Sequence, residues 1–138
     1  MSLRVLPLIV IPFIVYNVVV LLGGSVAAED VLNRPLFPLP MLNGTKWVFK
    51  WSDLIILLTM LMLFVELIKS TYNSTSVLIN HGLTMLVFIA CLVEFILVRN
   101  AATSAFFFIL VATLIDVVAG FMIGIRTANR NVNIGSDN

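Results

Sequence analysis

The chain has 138 residues, of which 61% are apolar and 11% charged, against roughly 45–50% and 25% in an ordinary soluble domain. Together with a mean hydropathy of +1.13, this excludes a water-soluble globule. Eight Lys and Arg against seven Asp and Glu, a net charge of +1, exclude a nucleic-acid binder and a polybasic membrane anchor. A bilayer-crossing helix needs ~20 mostly apolar residues, so the length predicts one all-α domain over residues 1–138, an integral membrane four-transmembrane-helix bundle.

The first apolar stretch runs from about residue 4 to 27 and predicts an uncleaved helix. Ser25 to Ala28 resemble a signal-peptide cleavage site, but the apolar core before them exceeds the roughly 7–15 residues of a signal peptide. Pro12 is expected to kink this helix, and Asn17 needs a polar partner inside the bilayer. Residues 28–51 read as an extramembrane loop, in which Pro35, Pro38 and Pro40 favour an extended backbone. Trp47, Phe49 and Trp51 interleave there with Lys46 and Lys50, a pattern for the membrane interface or a docking partner. A second helix follows over 52–70, with Ser52 and Asp53 as candidate N-caps. The polar link after it is short, so the third helix, 79–98, is expected to pack antiparallel against the second. A fourth helix spans 104–125, and the polar tail 126–138 reads as a frayed end or a surface strap.

Four spans put both termini on one side. Basic residues tie across the membrane, with Arg4, Lys69, Arg126 and Arg130 on the terminal side and Arg34, Lys46, Lys50 and Arg99 opposite. Acidic dilution of the long loop favours cytoplasmic termini, in a bacterial inner membrane.

The polar residues of the last three helices line single faces. Ser52, Thr59 and Glu66 are seven apart; Asn80, Thr84, Val87, Cys91 and Glu94 follow heptad spacing; Ala112, Asp116, Gly120 and Gly124 run in steps of four. Gly120 and Gly124 form a GxxxG that permits close helix packing and predicts oligomerisation. At ~1.5 Å per residue, Asp116 falls near the bilayer centre, with Glu66 about 7 Å to the terminal side and Glu94 about 8 Å to the other. This describes a stepped ladder of acids with no cation of the same chain at the depth of Asp116; Lys69 reaches only Glu66. Asp116 is then expected to donate a hydrogen bond to Asn17, Thr59 or a carbonyl, to take a cation or protons in transit, or to meet a partner subunit.

Chemistry for catalysis is sparse. One histidine, His81 at a helix start, and one cysteine, Cys91 in an apolar run, offer no metal-ligand cluster, nucleophile set or phosphate loop. The sequence therefore predicts no enzyme activity, no cofactor and no metal. In length and span number the chain is similar to small multidrug-resistance transporters, whose key glutamate lies in the first helix; here that helix offers only Asn17, so no function follows from the likeness. The expected partners are the lipid bilayer and further copies or other membrane subunits. The expected role is a structural or accessory interaction subunit of a membrane assembly; the alternative is a small oligomeric channel or cation-coupled transporter using Asp116, Glu94 and Glu66.

Overall fold

A computed structural model describes residues 5–72 and 77–136. In chain order these residues form α1 (Val10–Leu22), α2 (Ala28–Leu32), β1 (Pro35–Pro40), β2 (Lys46–Lys50), α3 (Trp51–Tyr72), α4 (Val77–Leu97), a 3-10 turn (Arg99–Ala101) and α5 (Ser104–Ser136). Three segments are long and apolar enough to cross a membrane, Trp51–Tyr72, Ile79–Leu97 and Ser104–Arg126, consistent with an integral membrane protein.

The first helix departs from expectation. α1 has 13 residues, about 20 Å of rise, which is short of the ~30 Å hydrocarbon core. Pro12 lies in its first turn, where an amide has no intrahelical partner, so the proline removes no helical hydrogen bond. The chain leaves α1 through Gly23 and Gly24, the latter at φ +64°, a left-handed exit that stops the helix. Gly23 also has no room for a Cβ beside Val31, which lets α2 fold back onto the end of α1.

Residues 28–51 are structured rather than a plain loop. α2 buries Ala28, Val31 and Leu32 and turns Glu29 and Asp30 outward. β1 and β2 then pair antiparallel, with Phe37 opposite Phe49 and Leu39 opposite Trp47. The Met41 amide donates to the Thr45 carbonyl at 2.8 Å. This register directs the odd-numbered amides of β1 toward β2, so Pro38 and Pro40 lack amides only on the unpaired edge. Asn43 Oδ1 accepts from the Thr45 amide at 3.1 Å and its hydroxyl at 2.6 Å, while Gly44 takes φ +87°, closing the turn.

β2 passes into α3 without a linker. Asp53 reaches back from the third helical position to the Lys50 amide at 3.1 Å, the return half of a capping box rather than an N-cap. The Trp51 amide donates to the Arg34 carbonyl at 3.3 Å and closes the hairpin base.

Among the described residues, α3 and α4 pack chiefly on α5 rather than on each other, and α1 packs on α3 and α5. The predicted link between the second and third helices falls largely outside the described residues. α5 takes the central place because Ala105, Ala112, Thr113 and Gly120 keep its surface thin enough for two neighbours. The core joins Tyr16, Val20, Ile55, Cys91, Phe106 and Ile109, while Phe64, Leu86, Ile96 and Phe121 face outward, as a lipid-facing surface requires. α5 also runs on through the predicted tail to Ser136, since residues 126–136 contain no proline to break it.

Candidate functional site: a divided polar seam

The inward faces read from spacing are the buried ones: Thr59 and Glu66 on α3, Thr84 and Cys91 on α4, Ala112 and Asp116 on α5. Their polar groups form two separate clusters rather than one ladder.

The first cluster lies toward the C-terminal end of α3. Glu66, 0% exposed, accepts the Leu8 amide on Oε2 at 2.9 Å and the Lys69 ammonium at 3.5 Å. Leu8 precedes α1, so its amide has no helical partner and is free to meet the carboxylate. Lys69 Nζ donates to the Leu6 carbonyl at 2.8 Å, and Asn80 Nδ2 donates to the Val5 carbonyl at 3.2 Å. The backbone of residues 5–8 is thereby strapped across α3 and α4. Asp116 enters from α5 with Glu66 and Lys69 in electrostatic reach, while the Thr84 hydroxyl donates to the Asn80 carbonyl of its own helix at 2.9 Å. One oxygen of each acid, Glu66 Oε1 and Asp116 Oδ2, is buried with no hydrogen-bond partner.

Two residues expected beside Asp116 are engaged elsewhere. The Thr59 hydroxyl bonds its own helix, donating to the Ile55 carbonyl at 2.7 Å. Asn17 Nδ2 donates to the Phe13 carbonyl at 3.0 Å and to Glu94 Oε2 at 3.5 Å. Asn17, Glu94 and Cys91, a buried free thiol in electrostatic reach of Glu94, make up the second cluster. Depth explains the division: Glu66 and Glu94 sit toward opposite ends of the helices, and only Asp116 reaches the first of them.

Sequence reasoning missed Tyr16. Its hydroxyl, in a residue 1% exposed, lies 2.7 Å from both the Asn100 carbonyl and Thr103 Oγ1. Because Thr103 Oγ1 also accepts the Phe106 amide at 3.3 Å, the consistent order is Thr103 donating to Tyr16 and Tyr16 to Asn100. This ties α1 to the corner where α4 ends and α5 begins. The available signal was a lone phenol in a mostly apolar stretch, since a buried tyrosine hydroxyl needs a partner.

The glycine pair also divides. A Cβ on Gly120 would stand 2.9 Å from His81 Nδ1, whereas one on Gly124 would meet nothing within 4 Å. Gly120 therefore serves α4–α5 packing within the chain, with the His81 ring 5.9 Å from that of Phe121. In the hairpin, Trp47 is 46% exposed while Phe49 and Trp51 are half-buried. Phe37 stacks on Phe49 at 5.0 Å between centroids, and Trp47 meets Phe49 edge-on at 5.6 Å.

An open cleft of about 550 Å³ lies between the α1–α2 connection and the 3-10 turn, with Glu29 and Arg99 on its walls. Among the described residues no group of three or more His, Cys, Asp or Glu side chains is placed to hold a metal. Compared with known proteins, the chain matches no family model, no curated sequence and no solved structure.

Proposed function

We propose that the chain is a structural or accessory subunit of a membrane assembly, either a homo-oligomer or a larger complex, that docks through its hairpin. The observation that carries this reading is the aromatic face of β1 and β2. Phe37, Leu39 and Trp47 lie on it and stay 39–47% exposed, although cross-strand pairing and the capped start of α3 hold them in a fixed arrangement. Ordered, exposed aromatic side chains at the end of an apolar helix suit burial against another protein surface. In this reading the segment holding α1 completes a four-helix bundle, with both termini on the cytoplasmic face of a bacterial inner membrane. Contacts at both ends of the segment support it: Leu8 meets Glu66 near one end of α3, and Tyr16 meets the α4–α5 corner at the other.

The test is mass in mild detergent. Wild type is expected to run in complexes larger than one 15.3 kDa chain, and the pair Phe37→Ser, Trp47→Ser is expected to reduce them to single chains. A monodisperse wild-type monomer, with no crosslink from a photoreactive residue at position 47, sinks the reading.

A second reading, a cation-coupled transporter, is supported by the two unpartnered oxygens on Glu66 and Asp116. The division of the acids into two clusters weighs against it, because a relay from Glu94 to Asp116 needs contiguous carriers.

A further inference from the structure

Arg99 follows the apolar segment Ile79–Leu97, and Ser104 opens the segment Ser104–Arg126. The cleft of about 550 Å³ between the α1–α2 connection and the 3-10 turn therefore lies where hydrocarbon gives way to lipid headgroups. Both of its walls are held in place. The Tyr16 hydroxyl fixes the wall of Asn100 and Thr103, and the left-handed turn at Gly24, with Gly23 pressed against Val31, fixes the other. Among the described residues the charged side chains on these walls are Glu29 and Arg99, and no ion pair joins them. Their charged neighbours in sequence, Asp30 and Arg34, do not line the cleft. Val5, where the described chain begins, meets Asn80 near the opposite end of α4, about 28 Å along the helix. A second cleft of about 400 Å³ continues the first, since Glu29, Ala102 and Thr103 line both. Its further walls are Phe95 of α4 and Phe107 of α5, with ring centroids 5.9 Å apart. The polar cleft thus opens onto an aromatic flank of two apolar helices.

A preformed cleft of this size falls within the roughly 300–1,000 Å³ of small-ligand sites. One cation and one anion on its walls, not paired with each other, suit a ligand that carries both signs. A phosphate ester with an ammonium a few atoms away is such a ligand: the guanidinium takes the phosphate oxygens, and the ammonium donates to the carboxylate. A headgroup that is only anionic meets Glu29 as a like charge. We propose that the two clefts bind a zwitterionic aminophospholipid, phosphatidylethanolamine, with its phosphate on Arg99, its ammonium on Glu29 and one acyl chain along Phe95 and Phe107. Soluble phosphoethanolamine offers the same two charges to the first cleft, but only the lipid also fills the second. The site does not depend on the docking role assigned to the hairpin.

Native mass spectrometry of the full chain in detergent tests it, with equimolar phosphatidylethanolamine and phosphatidylglycerol competing for the protein. Wild type is expected to retain phosphatidylethanolamine about fivefold over phosphatidylglycerol, the effect of one exposed charge pair. Glu29→Gln has to remove that preference, and Arg99→Gln has to weaken retention of both lipids. Asp30→Asn, next in sequence but outside the cleft, has to keep the preference. Ala102→Trp, at an exposed position that lines both clefts, fills them without altering either charge and has to lower lipid occupancy. Soluble phosphoethanolamine in large excess is expected to leave the lipid bound; displacement would assign recognition to a free headgroup and overturn the lipid site. Equal retention of the two lipids by wild type, or a preference that Glu29→Gln and Ala102→Trp both keep, overturns it as well.

Discussion

Gly120 and Gly124 look alike in the sequence and differ in the fold. Spacing alone assigned both to a helix-packing face, and at Gly120 that face is occupied by His81 of the same chain. Gly120→Leu is therefore expected to destabilise the single chain by about 1–3 kcal/mol, the usual cost of overpacking. Gly124→Leu, into open space, should cost nothing beyond ~0.5 kcal/mol. Adding His81→Ala to Gly120→Leu should recover part of the loss. Melting temperatures of the four proteins in a double-mutant cycle check this; additive effects would deny the contact. Spacing did locate Thr59, Glu66, Thr84, Cys91 and Asp116 on inward faces, because a helix fixes which residues share a side. It did not identify their partners. Asn17 bonds Glu94 and Lys69 bears on Asp116, and both depend on how far each helix slides along its neighbour, which no single helix encodes.

Helices α3, α4 and the apolar part of α5 were legible from hydropathy, since each holds an unbroken run of the length a bilayer needs. α1 was not, because its apolar run continues across Pro7 and Gly23, where backbone geometry rather than hydropathy sets the ends. The hairpin was hidden for the opposite reason. Three prolines in six residues argue against a strand; Pro38 and Pro40 are tolerated because they fall on the unpaired edge, and Pro35 because it is the first residue of the strand, beside the irregularity in register. This element is also separable from the helices, since the Trp51 amide already meets the Arg34 carbonyl at 3.3 Å. Replacing residues 35–50 by two glycines should leave the helical circular dichroism within a few per cent of that expected from composition. The melting temperature should fall only by the worth of the Asp53 contact to Lys50, about 1 kcal/mol. A collapse of helicity would mean that the hairpin organises the bundle instead of extending from it.

For the whole molecule, the question is whether the polar seam crosses the bundle or stops inside it. Glu66 and Asp116 belong to the end strapped by residues 5–8, and Asn17 and Glu94 to the end pinned by Tyr16. Between Phe106 and Asp116, α5 offers the buried Ile109, Leu110, Ala112 and Thr113, and the Thr59 and Thr113 hydroxyls each bond a carbonyl of their own helix. A stretch in which the only hydroxyls named are turned onto their own backbone interrupts a file of proton carriers, because a proton needs a continuous chain of polar groups or water to move along. A single chain reconstituted in liposomes is therefore expected to pass protons no faster than empty vesicles under an imposed pH gradient, and Asp116→Asn should behave identically. Flux in the wild type that Asp116→Asn abolishes would mean that this stretch opens, and it would transfer the weight from the docking role to transport. Flux that appears only when a buried side chain of that stretch is truncated, as in Ile109→Ala, would instead locate the barrier there and leave the docking role in place.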